Sequence, residues 1–238
     1  MAQRPVFMLS TSPPYFQEEL ISFQYFNGFA ESQKKKSVAS LHTAFLGRHQ
    51  GKRILEISSM SENDLGVSLS AFNLKIITAK GKSFSVESAF QSSKVFERGG
   101  PYKDLLEKTS REAKRDPRLK ESGKLLSFHY SQKIFPLRPV TYFYNWLYIN
   151  TLHLHPDLAE KVLEYSAFTD IAFNPDKSIN CQARAAAVYV SLQKQGLLTD
   201  ALKSPDAFLN IVYDPAHTTE TAITQEQISF WDTVSIST

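Results

Sequence analysis

Cysteine is almost absent from this chain, since Cys181 is the single example among 238 residues. One thiol excludes an internal disulfide framework and a metal site built from several thiolates. Uncharged apolar runs are short, well below the roughly 18 residues that span a bilayer. The first residues carry neither the apolar core nor the cleavage site of a signal peptide. These absences predict a soluble, cytoplasmic protein.

An excess of charge of one sign is also lacking, because 27 basic residues face 24 acidic ones and leave a net charge of +3. A dedicated nucleic-acid binder would carry a strong basic excess, so charge alone does not assign that function. The hydrophobic fraction of 42% is typical of globular domains. A chain of this length can bury a large core without disulfides or metals to hold it together.

Before residue 85 the apolar pattern is mostly that of strands. Short apolar or alternating runs predict strands at residues 5–10, 21–26 and 53–58, and a hairpin at 72–84 that turns at residues 79–82. Ser37 is predicted to cap a helix whose apolar face holds Val38, Leu41 and Phe45.

After residue 85 the spacing becomes helical. Helices are predicted from Ser85 to the Gly99-Gly100-Pro101 stop, within residues 101–123, and at 141–154, 157–165 and 179–195. The fold class predicted is α+β, one domain at residues 1–196 that is mainly helical after residue 85 and has a small N-terminal β portion. Residues 197–238 are predicted to form a C-terminal extension.

One polar constellation lies on the helix that Ser85 is predicted to cap. Glu87, Gln91 and Lys94 stand at positions i, i+4 and i+7 and would share one face, with Phe90 beside them. A carboxylate, an amide and an ammonium together can build a polar site. An exposed amphipathic helix with solvated charges accounts for the same spacing.

A second constellation surrounds Asp170. Phe168 and Phe173 flank this acid, and Asn180 follows just before the Ala-rich helix. Aromatic rings on both sides of an acid could sandwich a base or ribose while the acid handles a proton. The alternative is a connector between two helices, in which Asp and Asn side chains cap turns.

Two further segments invite a functional interpretation. Phe26, Asn27 and Gly28 form an aromatic turn that could stack on a planar ligand, or simply end a core strand. Residues 108–124 hold seven basic residues against three acidic ones, so Arg111, Lys114 and Arg118 are candidates for contacts to DNA phosphates. A solvated helical face is the alternative. His153 and His155 would diverge on a helix and are not expected to bind metal.

The order and spacing of these segments resemble those of the NADAR (YbiA-like) family of N-glycosidases. That family has an early aromatic-Asn segment, a Glu-x-x-aromatic-Gln-x-x-Lys helix, and an aromatic-x-Asp followed by Asn before a final helix. The counterparts here are Phe26-Asn27-Gly28-Phe29, Glu87-x-x-Phe90-Gln91-x-x-Lys94, and Phe168-Thr169-Asp170 with Asn180. Residues 37–42 and 168–183 resemble in particular the NADAR antitoxins paired with DNA-targeting ADP-ribosyltransferase (DarT-type) toxins.

The resemblance implies an enzyme that removes ADP-ribose from modified guanine in DNA and thereby acts as an antitoxin. It implies Glu87 and Asp170 as catalytic residues, and no cofactor or metal. The substrate-binding residues that it implies are Phe26, Asn27, Gly28, Phe90, Gln91, Lys94, Phe168 and Asn180. ADP-ribosylated DNA, the product ADP-ribose and the cognate toxin are the expected partners.

Two other functions remain open on the sequence alone. One is N-glycosidase action on a small metabolite, as in the riboflavin-linked branch of the family. The other is a non-catalytic antitoxin that binds its toxin. The basic stretch at 108–124 favours a nucleic-acid substrate over a small one, and the presence of Glu87 and Asp170 favours catalysis over blocking.

Overall fold

The structure is a computed structural model that describes residues 1–28, 30–175, 178–179 and 181–213. In this part of the chain the strands are β1 (Ala2–Leu9), β2 (Phe16–Phe23), β3 (Ile54–Glu56), β4 (Lys75–Ile77), β5 (Ser83–Ser85), β6 (Lys94–Phe96), β7 (Leu125–Tyr130), β8 (Lys133–Phe135) and β9 (Ala167–Thr169).

The helices of the same part of the chain follow in order. They are α1 (Glu31–Leu46), α2 (Asp64–Ser68), α3 (Val86–Ser92), α4 (Ser110–Lys114), α5 (Arg118–Glu121), α6 (Tyr142–His153), α7 (Pro156–Val162), α8 (Gln182–Lys194), α9 (Leu198–Ala201) and α10 (Pro205–Val212), with a 3-10 helix at Lys103–Glu107. Among the described residues no helix is long and apolar enough to cross a membrane.

A four-stranded sheet in the order β2-β1-β9-β3 forms the centre of the fold. Strand β1 runs antiparallel to both β2 and β9, whereas β3 runs parallel to β9. Strands β4 and β5 form the predicted hairpin, and β6, β7 and β8 form a separate three-stranded sheet. Since β3 and β9 are parallel, the residues that follow them emerge at the same edge of the central sheet.

Both faces of the central sheet are covered, because successive residues of a strand point to opposite sides. Val6 and Ala167 pack with Phe45 of α1, while Phe7 and Phe168 pack into the larger core with α6 and α8. Full burial of an aromatic side chain such as Phe168 contributes about 1.5–3 kcal/mol. The sheet is thus the middle layer between α1 and α8.

A cluster of aromatic rings fixes the short helix α3. The Phe90 ring lies 5.3 Å from that of Phe128 in β7 and 5.2 Å from that of Tyr144 in α6, between ring centroids. Phe143 of α6 in turn lies 4.9 Å from Phe128 and 4.7 Å from Phe135. These contacts hold α3 against α6 and the β6-β7-β8 sheet, with its polar face directed away from them.

The predicted α+β class is confirmed, and so are the hairpin within 72–84 and the cap at Ser85. The helix after Ser85 was predicted to run past Phe96, which is wrong. It ends at Ser92, because the hydroxyls of Ser92 and Ser93 bond the Ala89 carbonyl and Lys94 then pairs with Phe128 in a strand.

Three other sequence predictions need correction or qualification. No strand was predicted next to Asp170, where the alternative interpretation was a connector between two helices, but β9, a central strand of the sheet, ends just before it. Ser37 does not cap α1, which begins at Glu31, and its buried hydroxyl donates to the Gln33 carbonyl. Helices α9 and α10 pack into the main core through Leu198 and Phe208. Residues 214–238 lie outside the described residues, so a boundary at 196 stays a prediction.

Candidate functional site

A cleft of about 570 Å³ opens beside α3 and α4, next to the edge where β3 and β9 end. Three carboxylic residues line it: Glu87 from α3, Asp170 from the end of β9, and Asp116, which is paired with Lys108 and Arg118. The cationic residues of the lining are Lys94, Lys114 and Lys120, and the aromatic ones are Phe72, Phe90, Tyr144 and Phe173. The cleft therefore combines acids, cations and flat apolar surfaces.

Glu87 lies in the first turn of α3, whose N-terminus is capped by Ser85 through a 3.0 Å bond from the Ser88 amide. Its side chain is buried, with 5% of the residue exposed. Oε1 of Glu87 accepts a 2.8 Å hydrogen bond from Nε2 of Gln91 and lies 3.7 Å from Nζ of Lys114. An amide donor and an ammonium thus stabilise the negative charge of this carboxylate.

Gln91 presents an acceptor to the cleft. Its Nε2 is used by Glu87, whereas its buried Oε1 has no hydrogen-bond partner among the described residues. A buried amide oxygen without a partner costs about 1–3 kcal/mol. A ligand that brings an N–H or O–H group to this oxygen would remove that cost.

Lys94 reaches the cleft although it begins strand β6 instead of continuing α3. Its Nζ lies 5.0 Å from the centroid of the Phe90 ring. Burial lowers the pKa of Lys94 to about 8, while the charge of Glu87 acts in the opposite direction. Lys94 is therefore mostly protonated at neutral pH, and an anionic ligand would favour its charged form further.

Asp170 is held by two donors on the other side of the cleft. Its Oδ1 accepts a 3.0 Å bond from the Ala172 amide, and its Oδ2 accepts a 2.9 Å bond from Nε2 of Gln182. The Gln182 amide is itself fixed by the Ile57 carbonyl at 2.6 Å and the Ala71 amide at 2.7 Å. Burial, and after it the charge of Glu56, raises the pKa of Asp170 to about 7.

The two acids share neighbours. Lys114 lies beside Glu87, and its charge also acts on Asp170. The hydroxyl of Tyr144, which lines the cleft, is influenced by the charges of both acids. Glu87 and Asp170 are thus brought to one site, together with the predicted residues Phe90, Gln91 and Lys94.

Other predicted binding residues lie elsewhere. Phe168 is fully buried in β9, so the stacking role predicted for its ring is wrong. Phe26, Asn27 and Gly28 follow β2 and do not line the cleft, and the Phe26 amide instead donates to the Ser37 hydroxyl at 2.9 Å. Asn180 and Phe29 lie outside the described residues.

The three basic residues predicted to contact DNA lie in different surroundings in the structure. Lys114 lines the cleft, and Arg111 is exposed on α4. Arg118 is engaged by two carboxylates, at 2.6 Å from Asp104 Oδ2 and 2.8 Å from Asp116 Oδ1. These ion pairs lower the pKa of Asp116 and raise that of Arg118, so a DNA contact by Arg118 would compete with them.

Sequence reasoning overlooked several residues of the site. Gln182 orients Asp170, Phe72 forms part of the cleft, and Glu56 is a buried carboxylic residue next to Asp170. The charged Glu56 within an otherwise apolar strand was a signal that could have been used. Gln182 had no local signal, because its partners come from three distant segments.

The described residues contain no group of three or more His, Cys, Asp or Glu side chains that could hold a metal ion. Nε2 of His155 bonds the Lys75 carbonyl at 2.6 Å. Cys181 is buried, and burial raises the pKa of its thiol, which keeps the sulfur protonated.

The fold and the site define an α+β protein with a polar, aromatic-walled cleft in which acids from separate elements meet. Comparison with family models gives a match over residues 2–222 to the family described as DarT1-associated NADAR antitoxin. The chain belongs to this family, which confirms the resemblance inferred from its motifs. A search among curated proteins gave no match.

Proposed function

We propose that the protein is an N-glycosidase that removes ADP-ribose from ADP-ribosylated guanine in DNA and thereby reverses the action of its toxin. The observation that carries this proposal is the meeting of Glu87 and Asp170 in one cleft with opposite electrostatic surroundings. Family membership supports the antitoxin role. The volume of about 570 Å³ falls within the range of small-molecule sites.

The chemistry needs one group that stabilises positive charge and one that supplies a proton. When the ribosyl C–N bond breaks, its electron pair leaves with the base and the anomeric carbon becomes oxocarbenium-like. Glu87, which accepts a hydrogen bond from Gln91 and lies beside Lys114, would stabilise this cation and take a proton from the attacking water. Asp170 would donate a proton to the departing guanine.

The pKa of Asp170 suits that role. At a value of about 7, the carboxyl group still carries its proton in a large fraction of molecules at neutral pH. After the step Asp170 is an anion and Glu87 holds the proton taken from water, so proton exchange with solvent resets the site. The products are ADP-ribose and unmodified guanine, with one water consumed.

The remaining lining suits the rest of an ADP-ribosyl group. Lys94 and Lys114 would attract the diphosphate, and Phe72 or Phe173 would stack on an aromatic base. The unpartnered Oε1 of Gln91 would accept a hydrogen bond from a ribose hydroxyl or an amino group of the base.

The test is incubation of the purified protein with single-stranded DNA that carries ADP-ribosylated guanine, with released ADP-ribose and restored guanine measured by mass spectrometry. A Glu87→Gln variant serves as the inactive control. Release from a modified nucleoside but not from DNA would instead support action on a small metabolite. Absence of release, together with neutralisation of the toxin in a mixture of the two proteins, would support direct blocking.

A further inference from the structure

Glu56 is a buried acid that no step of the proposed reaction uses. It ends β3, has 2% of its surface exposed, and is not part of the cleft lining. Helix α2 packs so closely on it that a Cβ at Gly66 would collide with the Glu56 carbonyl oxygen. Burial of an acid is expensive and calls for a physical explanation.

The carboxylate of Glu56 binds the chain on both sides of Asp170. Its Oε2 accepts a 2.6 Å bond from the Thr169 hydroxyl, and its Oε1 accepts a 2.8 Å bond from the Ile171 amide. A third donor, the Ser58 hydroxyl, bonds Oε1 at 2.6 Å and also lines the cleft. Glu56 therefore ties the ends of β3 and β9 together at the position from which Asp170 enters the cleft.

The hydrogen-bond pattern favours an ionised Glu56. The Thr169 hydroxyl has one hydrogen, which it donates to Glu56, so Nε2 of His42, 2.8 Å away, must donate to Thr169. Burial lowers the pKa of His42 to about 4, which makes this imidazole neutral at pH 7. No cationic side chain among the described residues bonds Glu56, and its charge is stabilised by three neutral donors alone.

We propose that Glu56 is a positioning residue, which fixes the backbone around Asp170 and, through its buried negative charge, keeps a proton on Asp170. Burial raises the pKa of both acids, but Glu56 has three donors and Asp170 has two. The negative charge is therefore better stabilised on Glu56, and the shared proton resides on Asp170. The consequence for catalysis rests on the proposed function, whereas the location of the proton does not.

Other groups around Asp170 do not reproduce this effect. Tyr144 and Tyr148 face Asp170 from α6, and Cys181 faces it from the segment before α8. Burial raises the pKa of each of these three groups, so all of them are neutral at pH 7. Lys114 of α4 is a cation and acts in the opposite direction, but its side chain is 57% exposed. The other acids of the cleft are paired with cations, Glu87 of α3 with that lysine and Asp116 with Lys108 and Arg118. Glu56 remains the nearby charge that favours the protonated form.

The decisive experiment is a carbon-13 NMR titration of the side-chain carboxyls, which needs no substrate. In the unaltered protein we expect Asp170 to titrate near pH 7 and Glu56 to lose its proton at a lower pH than Asp170 does. If instead Glu56 keeps the proton and Asp170 is ionised at pH 5, the proposal is overturned. This outcome does not depend on whether any variant folds.

The Glu56→Gln variant then removes the charge and keeps the shape. We expect the titration midpoint of Asp170 to fall by about one pH unit or more, the rate at pH 8 to fall about tenfold, and binding of ADP-ribose to persist. Glu164→Gln is the matched control, since Glu164 is an exposed acid paired with Arg53 next to β3. A folded Glu56→Gln protein with an unchanged Asp170 midpoint would contradict the proposal even if its rate fell. Absence of hydrolysis by any form would refute the proposed function alone.

Discussion

The two sides of the cleft hold the same chemical group in opposite surroundings. On the cationic wall, defined here as Glu87, Gln91, Lys94 and Lys114, the carboxylate faces an amide donor and two ammonium groups. On the acidic wall, defined as Asp170 and Gln182 together with Glu56 buried behind them, the carboxyl group of Asp170 lies near a second acid. The difference teaches that neighbours, and not residue type, decide which acid carries charge and which carries a proton.

The largest effect is expected from the acid of the cationic wall. Glu87→Gln keeps the shape of the side chain but removes the charge that would stabilise the oxocarbenium-like state. We expect at least about a hundredfold loss of turnover on ADP-ribosylated DNA, with folding nearly unchanged. Glu107→Gln is the control, because Glu107 is exposed outside the cleft and pairs with the exposed Lys82. Near-normal turnover by a folded Glu87→Gln protein would end its assignment as a catalytic residue.

Loss of the acid on the other wall should leave a different signature. With Asp170→Asn we expect a loss of about tenfold to a hundredfold near pH 7. The carboxyl group of Asp170 loses its proton as the pH rises through about 7. The wild-type rate should therefore decline above pH 7, and the rate of the variant should not. Rate measurements from pH 5 to 9 test this, and calorimetry should show that ADP-ribose still binds. A parallel loss of binding would make Asp170 an anchor for the substrate.

The cationic wall was largely predictable from sequence, because its signals are local. Ser85, Glu87 and Gln91 follow the rules of capping and of i,i+4 spacing, and the structure has the cap and the Gln91–Glu87 bond. The helical spacing did not predict how Lys94 reaches the cleft, because Lys94 is not part of the helix. It begins strand β6, which pairs with β7 across the intervening 3-10 helix, α4 and α5.

The acidic wall was not predictable in the same way. Strand β9 has three residues, and its neighbours β1 and β3 come from the first quarter of the chain. Pairing with them, and not local propensity, makes this segment a strand and buries Phe168. The sequence could suggest Asp170 as an acid between aromatic residues, but the approach of Glu56 follows from tertiary structure alone.

A smaller effect should appear in the stability of the acidic wall. Because the pKa of Asp170 is raised in the folded protein, its contribution to stability is present below the unfolded value near 4 and is lost as the pH rises through about 7. The free energy of unfolding of Asp170→Asn, relative to that of the wild type, should therefore rise by about 2–3 kcal/mol between pH 5 and pH 8. Urea denaturation at both values measures the difference. A constant difference would mean that Asp170 is ionised throughout.

The smallest effect concerns how far the cationic wall extends towards DNA. Arg111 is exposed on α4, one helical turn from Lys114, whereas Arg118 already binds Asp104 and Asp116. If the DNA strand passes α4, Arg111→Gln should lower the rate on dilute DNA substrate by about twofold to threefold and reduce the slope of log affinity against log salt by about one. Arg118→Gln should leave that slope unchanged and lower the melting temperature, since it removes the guanidinium that binds both carboxylates and leaves them with Lys108.

A modified nucleoside has no extended backbone, so neither change should affect its hydrolysis. Parallel measurements on the two substrates separate damage to the cleft from loss of a phosphate contact, because damage would slow both. If Arg111→Gln had no effect on either substrate, the DNA strand would not pass α4. If Arg118→Gln reduced the salt slope as much as Arg111→Gln, Arg118 would exchange its carboxylate partners for phosphates on binding, and the cationic wall would extend across both helices.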